Sequence, residues 1–319
     1  MHLRALRLLC LPGNSRCVMT SVTTTPDEAG TNRNGIICAL IAYLLWGTYA
    51  WFFALLAHVN ALEVVAHRAF WSIPIAAAVM LVMGRTKDVL RVVKTPKLLG
   101  LMCLTTLLVT ISWGVFVWAV AVGRALETSL AFYINPLLNV AVGYLVLREK
   151  MTGLQIVAIV LAVTGVAYQT WALGAFPWLS LILGAAFSAY GFLRKTIDVG
   201  PVQGFFVESC ILSVLGLAVV NWLATQGPLA FGGDWNTTVL LLACGPMTAL
   251  PLMFFATAAR RIRFSTLGLL QYIAPSMLFL TAVFVLKEPL QQAQLVTFGF
   301  IWTALALYSF SSLRRSAAS

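Results

Sequence analysis

The sequence predicts an all-α integral membrane protein of ten transmembrane helices, arranged as two inverted five-helix repeats. Three observations predict it: a composition too apolar to cover a soluble surface, basic loops that fall on every second connection, and motif strings that recur at a nearly constant spacing. Of 319 residues, 61% are hydrophobic and 10% charged, against about 45–50% and about 25% in soluble domains. The net charge of +11 is not laid out as one basic face, which sets aside a nucleic-acid partner.

A helix needs about 20 apolar residues to cross ~30 Å of hydrocarbon. Stretches of that kind lie near 35–57, 61–83, 98–121, 126–146, 153–171, 177–194, 203–224, 237–258, 264–286 and 292–311. Barrel strands would read as alternating segments of about 10 residues, which these are not. Residues 1–34 are polar except for Leu8–Leu11, too short a run for a signal-peptide core of about 7–15 residues. They are expected to form a disordered cytoplasmic tail. Met19 opens its plainer part, and whether Met1 or Met19 is the start is left open. Residues 312–319 are expected to form a second cytoplasmic tail. The five-helix repeats then cover 35–171 and 177–311.

Basic residues set the orientation. Eighteen lie in the N-terminal tail, the 84–97 loop, the loops around Arg148, Arg194 and Arg260, and the C-terminal tail. The alternate loops hold only Arg124 and Lys287, and Arg68 lies within a span. The bias places both termini in the cytoplasm and requires an even number of spans. The expected location is the cell (inner) membrane, with the lipid bilayer as partner.

The six cysteines form no CxxC pair, and His2, His58 and His67 have no metal-ligand spacing. The cysteines read as small core residues, and neither a metal nor a cofactor is expected. No GxxxxGK[ST] run is present, so no ATP is bound by a P-loop.

Tyr133-Ile134-Asn135-Pro136 recurs as Tyr272-Ile273-Ala274-Pro275, and Arg148-Glu149 recurs as Lys287-Glu288, all at an offset of 139. Phe116 maps onto Phe255 and Arg124 onto Arg263 at the same offset, and Trp46–Tyr49 resembles Phe187–Tyr190 at 141. Such a run indicates duplication. Five spans per half put the second half upside down, the architecture of secondary carriers with a midplane site between halves.

Pro136 and Pro275 lie about 15–16 Å into their spans at 1.5 Å per residue, close to mid-bilayer. A proline kinks a helix and frees a carbonyl. Tyr133, Asn135, Asn139, Gln271 and Tyr272 cluster at that depth. Two readings stand for them: they line a substrate cavity, or they hold helices together by hydrogen bonds.

The second span reads Glu63-x3-His67-Arg68-x2-Trp71-Ser72, and the fourth Leu126-Glu127-x-Ser129-Leu130-x2-Tyr133-Ile134-Asn135-Pro136. The ninth opens with Gly268-Leu269-Leu270-Gln271-Tyr272-Ile273-Ala274-Pro275, followed by Lys287-Glu288-Pro289. Over about residues 35–311 these motifs resemble the drug/metabolite transporter superfamily in its EamA-like branch, nearest to the RarD, or chloramphenicol-sensitive, permeases. The resemblance implies ten helices in two inverted repeats and export of small molecules or metabolites. It supplies no substrate.

Four ionisable groups within the spans are coupling or gating candidates: Glu63, His67, Arg68 and Glu208. Glu63 and His67 share a helix face. Arg68 lies ~10 Å below the interface, and charge there requires partners or water. Glu208 lies ~8 Å deep from the cytoplasmic side. Structural ion pairing, substrate or gate contact, and proton coupling are all open to them. Glu127 with Ser129 suits a helix start, and the basic–acidic pairs suit interfacial anchoring. Trp46, Tyr49, Trp113, Phe116 and Trp118 lie deep enough to wall a pocket or to pack the core. Trp51, Trp178 and Trp235 fit the outer interface. The expected substrate contacts are Trp46, Tyr49, Trp113, Tyr133, Asn135, Gln271 and Tyr272. The function expected is a secondary carrier, an exporter of small organic compounds; the alternative is an intramembrane enzyme acting on lipid-linked substrates. A homodimer is left open.

Overall fold

The computed structural model describes residues 33–121, 130–174, 176–280 and 292–317. Most of the N-terminal tail, Arg124, Glu127, Ser129, Lys287–Pro289 and the end of the ninth span lie outside the described residues. The rest is helical: α1 (Arg33–Gly47), α2 (Tyr49–Ala54), α3 (Ala61–Val82), α4 (Thr86–Lys94), α5 (Pro96–Ala121), α6 (Ala131–Leu145), α7 (Gly153–Leu173), α8 (Trp178–Thr196), α9 (Pro201–Gln226), α10 (Trp235–Arg261), α11 (Phe264–Leu270), α12 (Ile273–Leu280) and α13 (Gln292–Ala317).

Among the described residues, seven helical segments are long and apolar enough to cross a membrane: α1 with α2, α3, α5, α7, α9, α10 and α13. The chain is a multi-pass membrane protein. Helix α6 is apolar but has 15 described residues. Helix α8 carries Arg194 and Lys195 in its last turn.

The helix starts follow local chemistry. The Asn60 side chain accepts from the Leu62 N–H at 2.9 Å and caps α3. Thr152 and Gln155 form a reciprocal capping box on α7. The Asp234 carboxylate accepts from the N–H groups of Asn236 and Thr237 at 3.2 and 2.8 Å and caps α10.

Three boundaries differ from the sequence expectation. The 84–97 loop contains a helix, α4, with Leu90 and Val93 exposed beside Arg91 and Lys94, which suits a membrane interface. Helix α13 runs to Ala317, into the stretch expected to be tail. The ninth span is broken at Gln271–Tyr272. Pro275 explains the break, because it has no N–H to offer the Gln271 carbonyl four residues back. The Ala274 N–H reaches that carbonyl instead, at 3.1 Å, in a tighter turn. Pro136, by contrast, sits buried within the continuous helix α6.

Among the principal packing pairs are α3 with α9, α7 with α13, α6 with α11, α1 with α10, and α5 with α8, beside α3 with α10 and α6 with α8. In the first three of these, a helix meets the helix at the same place in the other half of the sequence. The pairs α1 with α10 and α5 with α8 exchange when the halves are exchanged. The largest apolar core joins Tyr43, Tyr190, Phe255, Phe264 and the alanines Ala249, Ala258 and Ala259.

Candidate functional site

A narrow cavity of about 20 Å³, room for a water molecule, lies where α3, α5, α8, α9 and α10 meet. Its walls are Arg68 and Ser72 from α3, Val109 and Trp113 from α5, Tyr190 from α8, Phe205, Glu208, Ser209 and Leu212 from α9, and Thr248 and Leu252 from α10. Both halves of the chain therefore contribute. Gly245 brings α10 against α3, since a Cβ there would collide with the Trp71 carbonyl. That contact sets Thr248, about one turn on, beside Arg68. The Ser72 hydroxyl reinforces the crossing by donating to the Gly245 carbonyl at 3.3 Å.

Arg68 is half-buried. Its Nε donates to the Thr248 hydroxyl at 3.0 Å. Its guanidinium carbon lies 4.3 Å from the ring centroid of Trp113, 5.1 Å from that of Phe53 and 5.7 Å from that of Tyr49. Each such cation–π contact contributes about 0.5–2 kcal/mol, together enough to offset the ~2.5–3.5 kcal/mol of placing the charge mid-span. No carboxylate pairs with it among the described residues.

Glu208 is buried and has other partners. Its carboxylate accepts from the hydroxyls of Thr105 at 2.6 Å and Tyr190 at 3.3 Å, and lies 3.8 Å from Arg194 Nε. Arg194 is fully buried and donates to the carbonyls of Gly200 and Pro201 at 3.3 and 2.8 Å. Gly204 admits it, because a Cβ there would overlap the guanidinium. By sequence Arg194 counted as a loop charge; the only hint to its burial is the glycine-flanked start of α9.

Glu63, also buried, accepts from the backbone N–H groups of Ala230 and Phe231 at 3.2 and 2.9 Å. His67 stacks on Phe231 with ring centroids 4.6 Å apart, and its Nδ1 accepts from Trp71 Nε1 at 2.9 Å. Its Nε2 faces Glu63 at 3.9 Å. These side chains hold the 227–234 loop onto the start of α3, away from Arg68.

The midplane polar residues form a separate knot. Asn135 donates to the Gly184 carbonyl at 2.8 Å, Gln271 donates to Asn135 Oδ1 at 2.5 Å, and Asn139 donates to Gln271 Oε1 at 2.8 Å. The Tyr272 hydroxyl donates to the Tyr133 carbonyl at 2.9 Å, and the Tyr133 ring packs on Phe298. These side chains bind one another and do not line the cavity. Trp46 packs among Tyr43, Phe187 and Phe255. Tyr49 bonds to the Met247 carbonyl and faces Arg68. Of the deep aromatics, Trp113 alone lines the cavity, while Phe116 and Trp118 lie exposed on α5. Trp51, Trp178 and Trp235 are exposed, as interfacial anchors would be.

Glu149, expected as an interfacial anchor, accepts from the N–H groups of Phe264 and Ser265 at 2.6 and 3.0 Å. It thereby holds the start of α11 to the end of α6.

Residues 33–171 match the EamA-like transporter family. An uncharacterized transporter of Pseudomonas aeruginosa is 39% identical over 284 residues, which cover 88% of this chain and 95% of that one. Protein RarD of Salmonella typhi is 37% identical over 287 residues, covering 90% of this chain and 98% of its own. A protein of Pseudomonas aeruginosa named chloramphenicol-sensitive protein RarD is 34% identical, over 88% of this chain and 95% of its own. A solved crystal structure, 18% identical, superposes with a TM-score of 0.69 over 88% of this chain and 98% of its own; the likeness is one of fold.

Proposed function

The chain belongs to the EamA-like transporter family, in the RarD-like branch of the drug/metabolite transporter superfamily, and on that premise we propose that it is a secondary carrier exporting small organic metabolites or drugs by alternating access. The cavity carries this reading, because its walls are drawn from both halves of the chain. Rocking one half against the other would open it first to one side and then to the other. At about 20 Å³ it has room for a water molecule and not for cargo, so transport on this reading requires it to widen.

The symmetric packing pairs support the inverted repeat and, with the ten apolar stretches, ten spans. The basic-residue bias supports cytoplasmic termini in the inner membrane. Glu208 is the proposed coupling group: it touches the cavity, and Arg194, Tyr190 and Thr105 provide partners that a proton or a substrate could displace. Glu63, held by backbone N–H groups, has a gating role at the other mouth.

The test compares metabolites inside and outside cells with and without the gene. The reading expects at least one small organic compound to shift its distribution. Unchanged distributions of all compounds would contradict it. With the cargo in hand, Glu208→Gln should abolish accumulation driven by a pH gradient in proteoliposomes while leaving exchange intact; Glu63→Gln should be milder.

A further inference from the structure

Building on the carrier reading, we propose that Arg68 is the anion-binding group of the cavity and that the cargo is a small organic acid, held by its carboxylate. The placement of charge points there. Each acid near the cavity or its mouths is already engaged: Glu208 by Arg194, Thr105 and Tyr190, and Glu63 by the N–H groups of Ala230 and Phe231. Arg68 is left as a cation at the cavity wall with no counter-ion among the described residues.

Its hydrogen bonding leads to the same ligand. Arg194, which is structural, directs its donors to carbonyls of Gly200 and Pro201. Arg68 gives only its Nε, to Thr248. Its terminal N–H groups have no partner among the described residues. The rings of Trp113, Phe53 and Tyr49 surround the guanidinium and hold it in place, while its terminal N–H groups are left for a planar acceptor. A carboxylate matches that edge with two parallel hydrogen bonds. A phosphate dianion would call for a second cation, and the cavity wall has none besides Arg68. Beyond the guanidinium the surface is almost wholly apolar, with Val109, Phe205, Leu212 and Leu252 among the walls, a lining suited to the apolar body of an organic acid.

The experiment is thermal melting of the purified full-length protein in detergent with a panel of small aromatic and aliphatic carboxylic acids, each beside its methyl ester. One or more acids should raise the melting temperature while their esters do not. Arg68→Gln should abolish the effect. Arg68→Lys, which keeps the charge but not the paired donors, should weaken apparent affinity about tenfold or more. Melting curves without ligand establish that each variant is folded, and the lysine variant serves if the glutamine variant is not. Three results overturn the proposal: esters as effective as acids, acids still effective on Arg68→Gln, or no effect from any acid of the panel. The metabolite comparison separates this proposal from the carrier reading. An exported neutral or cationic compound with no acid binding overturns the anion site alone. Acid binding with no shifted compound overturns the carrier reading alone.

Discussion

The Tyr272 hydroxyl donates to the Tyr133 carbonyl at 2.9 Å, and these two tyrosines stand 139 residues apart, at equivalent positions of the internal repeat. Trp46 and Phe187, equivalent at an offset of 141, also touch, with ring centroids 5.7 Å apart. Positions related by a two-fold axis meet only close to that axis. Under the proposed inverted repeat, the two contacts would trace where the halves face each other. Tyr272→Phe should remove one hydrogen bond and cost about 0.5–1.5 kcal/mol of stability, read as a lower denaturation midpoint with transport retained in the folded fraction.

The amide knot gives a second prediction. Asn135→Ala leaves Gln271 and Asn139 buried with unmatched groups, at a cost of about 1–3 kcal/mol. Adding Gln271→Ala should then cost less than it does alone, because the lost partner is the same. Melting of the single and double variants measures this coupling. If Asn135→Ala instead abolishes transport at unchanged stability, the knot contacts cargo and the hydrogen bonds seen here are not its role.

The crossing of α3 and α10 gives a third. Gly245→Ala would drive a methyl group into the Trp71 carbonyl, a backbone group that cannot turn aside. Overpacking of this kind costs about 1–3 kcal/mol, and it also shifts Thr248 from Arg68. Less folded protein, together with weaker cargo affinity in what remains, is expected. Unchanged melting would mean the helices are further apart.

The buried pair gives a fourth. Arg194→Met strips Glu208 of its cation, and loss of one partner of a buried pair costs about 3–5 kcal/mol. Replacing both, as Arg194→Met with Glu208→Leu, should recover most of that stability yet leave transport unresponsive to a pH gradient. A double variant as unstable as the single one would contradict the pairing.

The helical class and the long apolar helices were legible because span length is imposed by the bilayer. The apolar stretches followed from rules that act within about one helix, and so did a kink at Pro275, although the helix there breaks outright. The site was less legible because its contacts are long-range. Nothing near Glu63 in the sequence points to the N–H groups of Ala230 and Phe231, and Arg194 resembles an ordinary loop cation until Gly204 is seen to make room for it. Polarity at mid-span identified Asn135 and Gln271 as a group. It could not distinguish side chains that bind each other from those, such as Arg68, that keep donors free. Helix α4 escaped because its apolar residues number too few for a span.

The contact between α4 and the α8–α9 connection gives a prediction in pH. The Asp198 carboxylate accepts from Arg91 at 2.8 Å, and that bond and charge hold its pKa below the usual 3.8. A depressed carboxylate contributes stability above its unfolded value and loses it as pH falls through its folded value. Stability from this pair should therefore be intact at neutral pH and fade below about pH 4. Both groups are exposed, so the effect is small. Melting of the wild type and Asp198→Asn across pH 3–6 should converge at the acid end; a constant difference would contradict the pairing.

The most direct test of the central claim is two-sided accessibility of the cavity wall. Ser209, a cavity residue on α9, is changed to cysteine after the six native cysteines are replaced. A membrane-impermeant thiol reagent is then applied to right-side-out and inside-out vesicles. Alternating access predicts labelling from either side, slowed from both by cargo. Labelling from one side only, or from neither, would contradict a carrier that turns about this cavity.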